Sequence, residues 1–258
     1  MGKKILLTND DGLYSEGLRV LWEHLVEIGD VCAVVPETEK SAVAHAINLF
    51  TPLKIRHIKM ERGFEAFVVN GTPVDCVKIG VNSILKRKPD ILVSGINPYS
   101  NTGMDVLYSG TVSAAAEGAI LGIPSISVSI DGCKNFHFDS AAAITIRILK
   151  KMEETPFPKD TILNVNIPNM PQNEIKGVRL TYQSEARFQE EYEERKDPRG
   201  GSYFWLKGVF RHVDGEKESD VETVKGGYVS ITPLHLNLTD RSFLSELKKK
   251  KFEDIKLK

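Results

Sequence analysis

Short apolar runs alternate with amphipathic stretches along the first two thirds of the chain. Apolar runs rich in β-branched residues predict buried strands at 4–8, 31–35, 90–95, 125–130 and 161–166. Apolar residues on one helical face predict helices that begin near Ser15, Thr72, Ser109 and residue 138, and we expect the first helix to end at Gly29. Because strands alternate with helices, we predict a doubly wound, mostly parallel, Rossmann-like α/β fold for residues 1–184.

Two segments depart from this alternation. Residues 47–70 carry two apolar stretches around a turn at 61–63, which predicts a hairpin insertion. Residues 185–258 begin with a dense charged run, after which two strand-like stretches at 202–206 and 227–232 predict an aromatic β-hairpin, followed by a lysine-rich helix. We interpret 185–258 as a C-terminal extension that serves as an oligomerisation arm, and a local β appendage is the alternative.

Composition narrows the function classes. The formal net charge is −1, which argues against binding a nucleic-acid duplex because there is no basic excess to neutralise phosphates. Three widely spaced cysteines, mostly inside apolar runs, fit buried thiols in a reducing compartment better than a disulfide framework. No signal-peptide core follows Met1 and no apolar run reaches the roughly 18 residues of a membrane span. We therefore expect a cytoplasmic protein without a membrane partner.

The loop Asn9-Asp10-Asp11-Gly12, which follows the first strand, carries the strongest chemical signal. Loops after the strands of a parallel sheet lie at its carboxyl edge, where open α/β folds bind ligands. Two unit charges ~4 Å apart at an effective dielectric of ~20 repel by about 4 kcal/mol, and a bound divalent cation would remove that repulsion. An ordinary Asp-Gly turn with solvated carboxylates is the alternative.

Three other loops are expected at the same edge. Ser41 follows the second strand, Asn97 follows the strand at 90–95, and Ser109-Gly110-Thr111 opens an alanine-rich helix. Free backbone N–H groups at a helix start suit a phosphate, although plain N-capping explains the same residues. Oxygen ligands without a His or Cys cluster favour Mg²⁺ or Mn²⁺ over zinc. The combination indicates metal-assisted phosphate-ester hydrolysis.

The motifs that contain these residues resemble those of the survival-protein nucleotidases, the SurE family. They are Thr8–Gly12, the Ser41 loop, Asn70–Cys76, Ser94–Asn97, Tyr108–Val112 and Asp197–Gly200. The resemblance implies a metal-dependent phosphatase that hydrolyses nucleoside 5′- and 3′-monophosphates, in some members also short polyphosphate, and that assembles into homodimers or homotetramers through C-terminal arms. It implies one divalent ion per subunit, held by Asp10, Asp11, Ser41 and Asn97. Asp10 and Asp11 would be catalytic, and Asn9, Asn101, Ser109, Gly110 and Thr111 would line the phosphate site.

One departure from the family pattern lies beside Asn97. Family members usually have glycine two residues after this asparagine, whereas this chain has Pro98 and Tyr99. Proline pushes Asn97 towards an extended conformation and tyrosine does not easily take up a positive φ, so we expect a stiffer loop that aims Asn101 differently and alters nucleoside preference.

Several questions stay open at the level of sequence. His45 is a candidate proton donor, but a lone histidine among apolar residues is more often structural. Attack by water and attack by an aspartate are both compatible with the residues. A non-catalytic nucleotide-binding or sensing module is the main rival function. A dinucleotide-dependent oxidoreductase and a P-loop NTPase are disfavoured because neither glycine-rich fingerprint is present.

Overall fold

A computed structural model of the chain describes residues 2–211, 213, 215 and 217–255. The strands of this part are β1 Lys3–Thr8, β2 Gly29–Pro36, β3 Ile55–Lys59, β4 Glu65–Val69, β5 Ile91–Asn97, β6 Ser125–Asp131, β7 Thr161–Pro168, β8 Val178–Leu180, β9 Arg187–Lys196, β10 Ser202–Arg211 and β11 Val229–His235. Its α-helices are α1 Glu16–Leu25, α2 Pro73–Ile79, α3 Gly110–Ile120, α4 Phe138–Glu153, α5 Asp220–Lys225 and α6 Arg241–Lys249.

The described strands form one large, mostly parallel sheet and a separate hairpin. The sheet has nine strands in the order β3-β4-β2-β1-β5-β6-β7-β11-β8. The chain moves outward from β1 in one direction through β2 and in the other through β5, so the order reverses between β1 and β5. Thr8 lies opposite Ser94 in this parallel pair, so the loops after β1 and β5 are neighbours at the reversal point, where open α/β folds bind ligands. The predicted α/β fold class is confirmed.

Both faces of the sheet are covered, which explains the continuous apolar runs of its strands. Ile5 and Leu7 of β1 belong to the core packed with α1 and α4, whereas Leu6 belongs to the core packed with α2 and α3. Successive side chains of a strand point to opposite faces, so an unbroken apolar run is needed to fill both cores. The small residues Ala114 and Ala115 of α3 are fully buried.

Two predicted elements have different limits in the structure. The first helix ends at Leu25, because Gly29 already pairs with Lys3 as the first residue of β2. The hairpin predicted within 47–70 exists as antiparallel β3 and β4, but β4 also pairs in parallel with β2, so the insertion extends the main sheet.

The pairing predicted for the aromatic hairpin is wrong. Strand β10 pairs with β9, the charged run, so that Trp205 lies opposite Glu193. The stretch predicted as its partner forms β11, which enters the main sheet between β7 and β8. The reason is burial: Val229 and Ile231 of β11 belong to the core, whereas Phe204 and Trp205 of β10 stay exposed. Residues 185–258 thus contain the β9–β10 hairpin, a strand of the main sheet and a terminal helix.

The terminal helix α6 has no buried residue in the structure. Its apolar side chains Phe243 and Leu244 are exposed, and Lys248 and Lys249 occupy the last turn, where cations favour the helix dipole. No helix within the described residues has the length and apolar character needed to cross a bilayer.

The three cysteines are free thiols. Cys32 and Cys76 are buried, in agreement with the apolar runs around them. Cys133 is exposed, so the expected burial is wrong for it, because it lies in the surface segment between β6 and α4.

Candidate active site

The loop after β1 is closed by the side chain of Asn9. The Asn9 amide donates to the Gly12 carbonyl at 3.0 Å and its Oδ1 accepts from the Gly12 N–H at 3.2 Å. Gly12 has φ +88°, and a side chain there would approach the Pro36 carbonyl oxygen to 3.1 Å. Asn9 is fully buried, so its observed role is to hold the turn that presents the two aspartates, and its predicted contact with phosphate stays a prediction.

Asp10 is attached to the start of α3. The Thr111 hydroxyl donates to Asp10 Oδ1 at 2.5 Å, and the Thr111 N–H donates to Oδ2 at 3.1 Å. Gly110 permits this approach, because a Cβ there would lie 2.9 Å from the Asp10 Cβ. A carboxylate at a helix N-terminus is also stabilised by the helix dipole. The structure therefore joins the aspartate loop after β1 to the start of α3, about a hundred residues further along the chain. The sequence does not indicate these hydrogen bonds.

Asp11 has the opposite character. Its Oδ2 is buried without a hydrogen-bond partner among the described residues. The pKa of Asp11 is raised to about 7, chiefly by burial and also by the negative charges of Asp10 and Glu39, against a hydrogen bond from Ser15 that lowers it. Burial also raises the pKa of Asp10, against the hydrogen bonds from Thr111, and Glu39 again adds to the rise. The charged neighbours that shift these two pKa values are all acidic.

The loop after β2 approaches Asp10 through its backbone. The Lys40 N–H donates to the Asp10 carbonyl at 2.8 Å. Ser41 follows directly, is exposed, and donates its hydroxyl to Glu39 Oε1 at 2.5 Å. Glu39 is a third carboxylate of this edge that sequence reasoning missed, although an acid two residues before the predicted ligand was a visible signal.

Asn97 is the last residue of β5 and is buried. Its amide Nδ2 donates to the Tyr99 carbonyl at 2.6 Å, which leaves the side-chain oxygen as the atom available to a cation. Between Ser94 and Asn97, two residues of β5 face one residue of β6. Such bulges are frequent next to functional sites because they redirect a side chain. Tyr99 is exposed.

Asn101 is held by a buried polar network that the sequence did not reveal. Its N–H donates to Asn166 Oδ1 at 2.8 Å, its Nδ2 donates to Ser129 Oγ at 2.8 Å, and its carbonyl accepts from Asn164 Nδ2 at 2.7 Å. Asn164 and Asn166 belong to β7, whose sequence predicts only a buried strand. Two fully buried asparagines at alternate positions of an apolar strand were the signal, because buried amides require partners.

The residues at the start of α3 combine capping with the Asp10 contact. Ser109 Oγ accepts from the Val112 N–H at 3.1 Å and so caps the helix. Both donors of Thr111 are engaged by Asp10 in the structure. The predicted phosphate contacts of Ser109, Gly110 and Thr111 stay predictions, whereas their position next to Asp10 is observed.

The donor set fits a hard divalent cation. In the part of the chain that the structure describes, no group of three or more His, Cys, Asp or Glu side chains is arranged to hold a metal. The candidate set instead combines two carboxylates with hydroxyl and amide oxygens, which is the oxygen chemistry that Mg²⁺ and Mn²⁺ prefer. The unpartnered, buried Asp11 Oδ2 among acidic neighbours is the observation that fits such an ion best.

Two large cavities lie in the described part of the chain. One of about 680 Å³ lies beside Tyr108, between the segment before α3 and the base of the β9–β10 hairpin. Its lining includes Phe188, Arg187 and Arg211. The other, of about 690 Å³, is apolar and lies between α4 and strands β7, β8 and β11, away from the aspartates.

Comparison with known proteins agrees with this picture. Residues 5–190 match the family described as Survival protein SurE. A protein of Thermosipho melanesiensis named 5′-nucleotidase SurE is 44% identical over 250 residues, which cover 97% of this chain and 98% of the relative. A Petrotoga mobilis protein of the same name is 46% identical over 245 residues, covering 95% and 97% of the two chains.

A solved structure extends the agreement to three dimensions. The crystal structure of the SurE protein from Aquifex aeolicus has a TM-score of 0.85 and 42% sequence identity, covering 97% of this chain and all of the other. Similarity in sequence and in fold thus extends over nearly the whole length, and the chain belongs to the SurE family.

Proposed function

We propose that the protein is a divalent-metal-dependent phosphomonoesterase that hydrolyses nucleoside monophosphates to nucleoside and phosphate. The relatives named 5′-nucleotidase support the 5′-monophosphates as substrates. The proposal includes the 3′-monophosphates and short polyphosphate that the family resemblance implies. The observation that carries it is the aspartate pair, in which the buried Asp11 Oδ2 has no partner among the described residues.

The proposed metal ligands are Asp10, Asp11, Ser41 and Asn97, with one Mg²⁺ or Mn²⁺ per subunit. Such an ion supplies Lewis-acid polarisation of a phosphoryl oxygen and lowers the pKa of a nearby water. It also offsets the two carboxylate charges, so that a phosphate dianion can approach an otherwise acidic loop. The first turn of α3 and Asn101 then line the phosphate side, where the helix dipole favours negative charge.

Asp10 and Asp11 have different proposed roles. Both oxygens of Asp10 accept hydrogen bonds from Thr111, which lowers its nucleophilicity and fixes its orientation. Asp11 Oδ2 has no hydrogen-bond partner among the described residues, so the Asp11 carboxylate can orient a water as well as bind the ion. We therefore favour attack by water, oriented by Asp11, over covalent attack by Asp10.

The cavity beside Tyr108 supports the proposed substrate class. Its volume of about 680 Å³ lies in the range of small-molecule sites. It begins one residue before Ser109, so a nucleoside placed there would leave its phosphate near the start of α3.

The assembly and location of the protein are part of the same proposal. The exposed aromatic residues Phe204 and Trp205 of β10 and the unburied helix α6 support a homodimer or homotetramer formed through the C-terminal arm. A cytoplasmic location stays a prediction.

A substrate panel tests the proposal. Nucleoside 5′- and 3′-monophosphates, tripolyphosphate and an aryl phosphate should be hydrolysed with Mg²⁺ or Mn²⁺, and a chelator should abolish turnover until metal is restored. Nucleotide binding without turnover under every metal condition would instead identify a non-catalytic nucleotide-binding module.

A further inference from the structure

Glu117 is a buried carboxylate outside the candidate active site. It lies on α3, the helix whose first turn holds Asp10, and its side chain is 4% exposed. Its Oε2 lies 2.9 Å from His45 Nε2, and its Oε1 accepts from Lys78 Nζ at 2.9 Å. Although burial raises the pKa of Glu117, the hydrogen bonds from His45 and Lys78 outweigh burial and lower it overall. A charged glutamate in this position therefore joins three separate segments.

His45 belongs to the long loop between β2 and β3, residues 37–54, which also carries Ser41. Loops of this length without regular structure are uncommon in compact domains and are usually functional. Most of its side chains are exposed, so the loop has little apolar burial to hold it in place. Ala42 and Ala44 have φ of 54° and 52°, and such left-handed conformations at non-glycine residues persist only where the surroundings enforce them.

A small set of polar contacts supplies that enforcement. The Thr72 hydroxyl donates to the Ala46 carbonyl at 2.7 Å, and Asn48 donates from its backbone N–H and its side chain to Asp75. The Ala44 N–H donates to the Tyr108 carbonyl at 2.9 Å. Among the hydrogen bonds of the described residues, the His45–Glu117 contact joins the loop to α3, whereas the Lys40 N–H joins it to the Asp10 carbonyl one residue before Ser41.

We propose that Glu117 is a positioning residue that acts through His45 to hold the 37–54 loop, so that Ser41 stays beside Asp10 and Asp11. The affinity for the divalent ion then depends on a carboxylate that does not touch the ion. This inference rests on the proposed metal-dependent function.

Lys78 provides the matched control. It contacts the other oxygen of the same carboxylate but belongs to α2, so its removal leaves the tie to the loop in place. Its own side chain is 44% exposed, but that of Glu117 is 4% exposed, so removing Lys78 lowers stability by leaving the buried carboxylate with one partner fewer. A purely structural role of Glu117 would make the His45 and Lys78 variants behave alike.

The test measures Mn²⁺ binding by calorimetry and trypsin cleavage of the metal-free protein at Lys40 and Lys54, which lie within the loop. We expect His45→Ala and Glu117→Ala each to weaken Mn²⁺ binding about tenfold, as loss of a supporting contact does, and to accelerate cleavage. The double variant should bind no worse than either single variant, because both remove one contact. Lys78→Ala should match the wild type in both measurements.

The outcomes separate this inference from the proposed function. If the wild type binds no Mn²⁺, the proposed function fails and the inference fails with it. If the wild type binds and His45→Ala binds equally well, only the inference fails. Additive losses in the double variant would also overturn it. His45 is exposed in a loop, so its variant remains informative even if Glu117→Ala does not fold.

Discussion

The two sides of the candidate active site are built differently. On the α3 side, Asp10 and Thr111 are buried and fully hydrogen-bonded to each other. On the side of the β2–β3 loop, Ser41 is exposed and its hydroxyl bonds to Glu39 two residues away. The first side is fixed by the packed sheet and helix before any ligand binds. The second is fixed by a few polar contacts, which makes it the side that ligand binding can adjust.

Asp11 lies between the two sides, and its removal should have the largest effect. Asp11→Asn keeps the volume but loses the negative charge and the acceptor proposed to orient water. We expect turnover of a nucleoside monophosphate to fall by at least about a hundredfold, the scale of losing one preorganised transition-state interaction. Steady-state kinetics at saturating Mn²⁺, with circular dichroism as the control for folding, measure it. Turnover near that of the wild type would contradict the proposed role.

The raised pKa of Asp11 predicts how the metal-free protein responds to pH. Its carboxyl titrates at about 7 in the folded state and near ~4 when unfolded, so the folded state binds more protons between these values. The free energy of unfolding therefore decreases as pH rises from about 4 to 7. Urea denaturation at both pH values should show this loss, of a few kcal/mol, in the wild type and a flatter profile in Asp11→Asn. Equal profiles in the two proteins would contradict it.

Thr111→Val tests the fixed side of the site. Valine keeps the shape but removes the hydroxyl, which leaves Asp10 Oδ1 buried with one donor fewer. We expect about 1–3 kcal/mol of lost stability and roughly tenfold lower kcat, because Asp10 loses its orientation. Thr111→Ser is the control, since it restores the donor. A variant as stable and active as the wild type would show that this hydrogen bond does not organise the site.

Much of the fold and the loops of the site could be predicted because their signals are local. A strand or helix with a clear hydrophobic pattern lies next to each of Asp10, Asn97 and Ser109. Parallel sheets bring such positions to one edge. The hydrogen bond of Thr111 to Asp10 and the asparagine network around Asn101 could not be predicted, because they join residues far apart in sequence.

In the C-terminal region, the missed strand β9 and the wrong partner predicted for β10 have the same cause. Strand β9 is dominated by Glu and Arg and has no buried face, so it lacks the apolar alternation that marks a strand. With β9 unrecognised, β11 was the remaining strand-like stretch for β10 to pair with. A strand's partner is decided by which apolar face the core can bury, and the sequence of β10 alone does not contain that information.

Ser41→Ala tests the adjustable side of the site. Because Ser41 is exposed and bonds only to Glu39 among the described residues, we expect stability to change by less than about 0.5 kcal/mol. The Mn²⁺ concentration for half-maximal activity should rise about tenfold, with kcat recovered at high metal. The kcat of Thr111→Val should not recover at high metal. If added metal also fails to restore the kcat of Ser41→Ala, the proposed difference between the two sides is wrong.

Tyr99→Gly should have the smallest effect and the most selective one. Tyr99 stands where family members usually have glycine, its ring is exposed, and its carbonyl holds the Asn97 amide. An exposed aromatic ring two residues from a proposed metal ligand offers a second surface on which a nucleobase can stack, separate from the cavity beside Tyr108. Because glycine keeps the carbonyl, the variant should retain Mn²⁺ affinity while kcat/KM falls a few-fold for nucleoside monophosphates and stays constant for glycerol phosphate. Tyr99→Phe, which keeps the ring, should match the wild type. Equal changes for both substrates would contradict a role in substrate preference. They would mean that Tyr99 acts by stiffening the loop around Asn97, and so affects the metal site.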